Sequence, residues 1–301
     1  FLHSSFSEKE REKEAEVILS EIQGYEDSPS ELIFDRAEEL LFPDHSIGRN
    51  ILGSEQSLAR FRNGSLKKFQ AENYSTEEMV LSVVGNIPFD KIKYAAEKYF
   101  GVIPQKSRSR ERRTPGSVSG KKLIENRKAY QKHCMLVGPA YALPDQKRLQ
   151  LYLLNNILGG PGMNSRLNMA LRERRGYSYS AESHYSPYTD TGVMMIYFSC
   201  DADKFGRSMQ VTRDEIRKLR SNMIADKRLS HARKQLMGQL AISRENNEHL
   251  MLTTAKSYLV FKRVDSLETI RKQLELITPG MLRDTANEVL DPKILNTLIF
   301  E

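Results

Sequence analysis

Cysteine occurs twice in the 301 residues, tryptophan is absent, and no apolar run reaches the roughly 18 residues of a membrane-crossing helix. The first scarcity excludes a disulfide-stapled scaffold, and the lack of a Cys-x-x-Cys pair excludes a thiolate zinc ribbon. Cys134 and Cys200 each sit inside an apolar run, which points to buried thiols in a reducing compartment, the cytoplasm being the expected location. The missing long apolar run excludes a transmembrane segment. Catalytic signatures are as scarce. Six histidines, at 3, 45, 133, 184, 231 and 249, include no i, i+4 pair, and neither His-Glu-x-x-His nor its inverse occurs, so no motif here supplies the three protein ligands of a catalytic zinc. A phosphate-cradling Gly-x-x-x-x-Gly-Lys-Ser/Thr loop and a Gly-x-Ser-x-Gly elbow are missing too. Gly159-Gly160-Pro161-Gly162 lacks the helix start and the acid of a dinucleotide fingerprint, which leaves a turn at a helix end.

What is present is ordinary for a soluble globular chain: 39% hydrophobic and 28% charged residues, in a length that suggests two domains, each able to bury a core. The net charge of +7 is concentrated between Lys106 and Lys122, where seven cations face one acid, Glu111, among Ser, Pro and Gly. No aromatic interrupts that stretch for a base to stack on, so a solvated linker is expected there and nucleic acid is not a partner. The opening residues, FLHSSFSEKER, carry no leader pattern and start without Met, as though in the middle of a unit.

Hydrophobic spacing predicts helices over 8–23, capped by Gly24, over 30–42, 57–73 and 89–100, with a buried strand at 79–87. After the basic stretch it predicts a strand from 132, a helix over 145–158, a helix over 167–176 and a strand pair at 178–185 and 193–200. Helices then follow near 205–222, 230–246, 249–262, 266–276 and 279–289, and a strand at 294–300. The second stretch partly repeats the first. A shift of 216 lays 64–85 on 280–301 without a gap, with Gly64, Leu66 and Glu72 meeting Gly280, Leu282 and Glu288. A shift of about 218 lays 8–23 on 226–241. Residues 8–85 thus match the back half of a unit whose complete copy is 119–301, so roughly 110 residues are expected to precede Phe1.

Glu14 and Glu21 stand seven residues apart in EKEAEVILSEI. On a helix they point within about 20° of each other and about 10 Å apart along the axis, too far to share one metal. They flank Val17 and Ile18 at helix-face spacing. Either that face is buried and the acids need partners, or these are exposed acids on a charge-crowded helix.

The stretch EKEAEVILSEIQGYEDSPSELIFDRAEELLFPDHSIGRNILGSEQSL, with NYSTEEMVLSVVGNI after it, closely resembles the zinc-dependent pitrilysin/insulinase-type peptidases, in particular their processing-peptidase branch; GGPGMNSRLNMALRERRGYSYSAES resembles the same family's C-terminal domain. The resemblance implies an α+β fold of two tandem homologous domains, each an antiparallel sheet covered by helices, the first domain incomplete here. Residues 1–105 would be the C-terminal part of the first, zinc-site domain, 106–118 a basic linker, and 119–301 a complete, substrate-holding second domain. It further implies a metalloendopeptidase that hydrolyses peptide bonds with a Zn2+-activated water, this chain lacking two zinc ligands and the general base of the inverted His-x-x-Glu-His motif and being inactive alone. By position, Glu21 matches the family's third metal ligand and Glu14 the glutamate that assists catalysis without touching the metal. Arg172 and Tyr179 match its substrate-holding pair, an anchor for a substrate carbonyl or carboxylate and a donor to the oxyanion. Expected partners are a peptide or unfolded polypeptide and a second subunit, identical or not. The alternative is a non-catalytic family subunit that binds substrate and pairs with a zinc-bearing homologue.

Overall fold

A computed structural model describes residues 4–107 and 112–301; Arg108, Arg110 and Glu111 of the basic stretch lie outside the described residues. The chain forms α1 (Glu8–Glu26), α2 (Pro29–Leu41), α3 (Glu55–Leu58), α4 (Asn63–Asn73), α5 (Phe89–Phe100), β1 (Lys122–Glu125), β2 (Lys132–Ala140) and α6 (Arg148–Gly159). After a π-helical turn at Asn168–Glu173 come β3 (Ser180–Pro187), β4 (Gly192–Cys200), α7 (Phe205–Ser221), α8 (Asp226–Ser243), α9 (Asn247–Phe261), α10 (Leu267–Glu275), α11 (Pro279–Val289) and β5 (Asn296–Phe300). Two compact units emerge. One holds the described residues of Phe1–Val17, Glu55–Arg112 and Met237–Ile270, the other Ile18–Ser54, Arg113–Leu236 and Arg271–Glu301.

The larger unit is built on a five-stranded sheet in the order β1-β5-β2-β4-β3. Its strands are antiparallel except that β1 joins β5 in parallel, Leu123 opposite Leu298. β4 reads GVMMIYFSC and is buried at every position, as a central strand covered on both faces must be. One face carries Met135, Val137, Val193, Met195, Tyr197, Leu298 and Phe300, and onto these α2 presses Leu32, Ile33, Ala37 and Leu41. By the two-residue alternation of strands, Cys134, Leu136, Met194, Ile196 and Phe198 point to the opposite face, where α6 packs on β3 and α11 on β2. Both cysteines are buried and free. The last helix is well started: Pro279 occupies its first turn and the Thr278 hydroxyl accepts the Met281 N–H at 3.2 Å.

α2 is also tied to the sheet edge by charge. Arg36 donates to Glu125 of β1 from Nε at 3.2 Å and Nη2 at 2.8 Å, and Arg127 grips the other carboxylate oxygen. Burial pushes the Glu125 carboxyl up, but the hydrogen bonds from Arg36 and Arg127 outweigh it and hold it below its ordinary range. A group depressed in the folded state stabilises above its unfolded value, about pH 4.3, and loses that contribution as pH falls through the folded value. Glu125→Gln is therefore expected to cost about 1 kcal/mol in urea melts at pH 7, a gap that closes below about pH 4. An unchanged gap across that range would contradict the pairing.

The repeat is visible in the elements. α4 shifted by 216 lands on Asn63→Pro279 and Asn73→Val289, the bounds of α11, and α1 and α2 shifted by 218 begin where α8 and α9 begin. One expectation fails. Residues 79–84 form no strand, and Met79, Leu81 and Val83 are exposed. β5, their counterpart, is a strand because β1 and β2 flank it, and no matching pair occurs among the described residues to flank 79–84. The stretch 57–73 is broken at Phe61 into α3 and α4, and α1 continues past Gly24 to Glu26, stopping only before Pro29.

Candidate functional site

The chemistry expected of Arg172 and Tyr179 falls on one corner of the larger unit. The helix that starts after the Gly-rich turn widens into a π-turn, in which Arg174 N–H donates to the Met169 carbonyl five residues back at 3.2 Å. It is closed by Gly176, whose φ of 58° is the left-handed conformation that favours glycine. The Gly176 and Tyr177 N–H groups donate to the carbonyls of Arg172 and Leu171 at 2.9 and 2.8 Å. The chain is then pinned to β4: the Ser178 hydroxyl donates to the Ser199 carbonyl at 2.7 Å, and the Tyr179 N–H to the same carbonyl at 3.3 Å. Backbone on both sides is fixed, yet both side chains stand at the surface, Tyr179 65% exposed and Arg172 pairing among the described residues with Glu173 alone, at 3.9 Å. β3, which begins one residue after Tyr179, is the sheet's edge, and among the described residues no strand pairs with its outer side.

The Gly-rich turn before this corner is a packing device, as a turn at a helix end should be. A Cβ on Gly159 would stand 2.4 Å from the Ser183 nitrogen, and one on Gly160 2.7 Å from Asn156 Cα. Glycine lets α6 end against β3.

Glu14 and Glu21 are both exposed on α1, a helix with no buried residue. Val17, which they flank, is 51% exposed and Ile18 half-buried, so within the described residues that face is not buried. Among the described residues no three His, Cys, Asp or Glu side chains converge to hold a metal ion. The residues described therefore do not by themselves fit a zinc site; Glu21 offers at most one carboxylate.

Sequence reasoning missed a third cluster, in a basin of about 780 Å3 between α2, the 46–51 segment and β3. Asp35 accepts from Asn50 Nδ2 at 3.0 Å, and Glu38 accepts from the Tyr188 hydroxyl at 2.7 Å. Burial pushes both carboxyls above their ordinary range, in Glu38 with a contribution from Asp35 and against the Tyr188 hydrogen bond. Opposite them His184 meets Glu182 at 3.2 Å and the edge of Phe34. The signal available was the i, i+3 pair of acids beside the apolar stripe of α2, which looks the same as a solvated helix edge.

A family model described as the peptidase M16 inactive domain matches residues 60–236. The chain is 31% identical over 289 residues to the uncharacterized zinc protease YmxG of Bacillus subtilis (strain 168), covering 96% of this chain and 70% of that protein. Its fold is similar to the crystal structure of a peptidase M16 inactive domain from Pseudomonas fluorescens, with a TM-score of 0.89 at 19% identity over 99% of this chain and 71% of that one. It is similar as well to a chain of complex III2 from Candida albicans, with a TM-score of 0.85 at 14% identity over 96% of this chain and 70% of that one. No helix of the described residues is long and apolar enough to cross a membrane.

Proposed function

Since the chain belongs to the M16 peptidase family, we propose that it is the peptide-holding portion of a zinc-dependent metalloendopeptidase, residues 1–105 deriving from a zinc-site domain and 119–301 from the substrate-holding one. The observation that carries this reading is the corner at Arg172 and Tyr179, rigid in its backbone and uncommitted in its side chains, at the foot of an open strand edge. An extended polypeptide adds to such an edge through main-chain hydrogen bonds. Arg172 then anchors a carbonyl or carboxylate with its planar fork, and the Tyr179 hydroxyl donates to a developing oxyanion. On this reading Glu21 contributes one ligand and Glu14 stands one helical stretch behind it; the metal's other ligands are not among these 301 residues. Binding of a fluorescent unstructured peptide, compared with a folded protein of similar charge, tests the reading: preference for the unstructured ligand supports it and equal binding sinks it.

A second reading is a non-catalytic subunit that binds substrate and pairs with a zinc-bearing homologue. The fold shared with a chain of complex III2 from Candida albicans favours it. Co-purification with a second, metal-bearing chain separates the two.

A further inference from the structure

Behind the same corner, between the end of α6, the π-turn, α7 and α8, lies a half-open basin of about 490 Å3, within the size range of small-molecule sites. Four cations line it, Arg166, Arg174, Lys218 and Arg228, against one acid, Glu215, a net +3 before counting His231. Glu215 is already engaged: Lys218 Nζ lies 2.6 Å from it and Arg166 Nη1 3.9 Å. Arg174, Arg228 and His231 form no ion pair among the described residues. A second observation is independent of charge. Ser165 lines the same basin, is 3% exposed, and its hydroxyl has no hydrogen-bond partner. A buried hydroxyl without a partner is unusual in a folded chain and is satisfied when a ligand supplies an acceptor.

The rim is polar and tightly built. Asn164 Nδ2 donates to Gln235 Oε1 at 2.9 Å, and a Cβ on Gly162 would come within 2.5 Å of both side chains. Burial pushes the Arg166 guanidinium down, Glu215 partly offsets this, and the neighbouring Arg228 adds a smaller push in the same direction as burial.

We propose that this basin binds a small multivalent oxyanion, a diphosphate or triphosphate group, gripped by Arg174 and Arg228 at the mouth and by the Ser165 hydroxyl on the floor. Guanidinium forks match phosphate oxygens in pairs, and an excess of three positive charges calls for more than a single carboxylate. The inference goes beyond the peptidase reading and does not depend on it.

Calorimetric titration of inorganic pyrophosphate, with ADP as a second arm, tests it. Saturable one-to-one binding in either arm is expected, the tighter arm telling a free anion from a nucleotide's phosphate chain. The R174Q/R228Q variant, both positions exposed, is expected to bind at least about tenfold more weakly, and Ser165→Ala several-fold more weakly while melting no lower. K121Q/K293Q, which loses the same charge away from the basin, is expected to bind as the parent does. Absence of saturable binding, or an equal loss in K121Q/K293Q, overturns the proposal.

Discussion

Phe300→Ala is expected to cost about 3–5 kcal/mol in urea or thermal unfolding, the largest stability effect of any substitution considered. The ring is fully buried in the cluster that joins α2 to the sheet, among Leu41, Phe42, Met135, Tyr197 and Leu298. Its backbone sits on β5 between Glu125 and His133, so the surrounding strands cannot collapse into the space it leaves. The Arg127 guanidinium lies 5.5 Å from the ring centroid and loses that contact as well. Removing a volume of that size without relaxation adds a cavity cost to the lost transfer energy. Phe69→Ala serves as the control. That ring is 57% exposed on α4 and its loss is expected to stay within about 0.5 kcal/mol. Equal effects at the two positions would mean that the α2 face is not the core.

Arg172→Ala is expected to weaken binding of an unstructured polypeptide by about 10- to 100-fold, the range for losing a hydrogen bond to a charged donor, with stability unchanged within about 0.5 kcal/mol. The separation follows from exposure: the side chain is exposed, and its one ion pair among the described residues is with Glu173, at 3.9 Å. Tyr179→Phe removes a hydroxyl and keeps the ring, and a smaller loss is expected. Fluorescence anisotropy beside a thermal melt separates the outcomes. Unchanged binding in both variants contradicts the substrate-holding role, and a lowered melting temperature with proportionate loss of binding assigns the residues to structure.

Much of the helical order could be read directly, because amphipathic spacing and capping residues are local. α11 falls where the spacing predicts a helix over 279–289, the internal shift of 216 relates it to α4, and the β3–β4 pair is marked by its apolar runs and the turn between them. The strand failures share one cause: a strand is defined by its neighbours. β1, KLIE, is four residues with alternate exposure and became a strand only through β5, while the more apolar 79–87 did not, for want of partners. Spacing put Glu14 and Glu21 on one helix face but said nothing of what covers it, and the structure leaves both exposed. The positions of Arg172 and Tyr179 came from family resemblance; their fixed backbone and open side chains came from the π-turn and Gly176, and only the latter was visible as a helix stop. The Asp35–Glu38 pair shows in the sequence only as an i, i+3 pair indistinguishable from a solvated helix edge, and Arg174 and Arg228 come from separate elements, so no local pattern marks either cluster as a site.

The reading of this chain as part of a metallopeptidase is tested most directly by metal content together with hydrolysis of an unstructured fluorogenic peptide. These are to be measured on the 301-residue chain, on the complete protein encoded by its gene, and on that protein's Glu21→Gln variant. On that reading the chain alone is expected to cleave nothing with zinc added, the inverted His-x-x-Glu-His motif being absent from its sequence. The complete protein is expected to carry about one zinc per chain and to lose both metal and activity in Glu21→Gln. A Glu21→Gln protein that keeps its zinc and still cleaves peptide, or a complete protein without zinc, would contradict it.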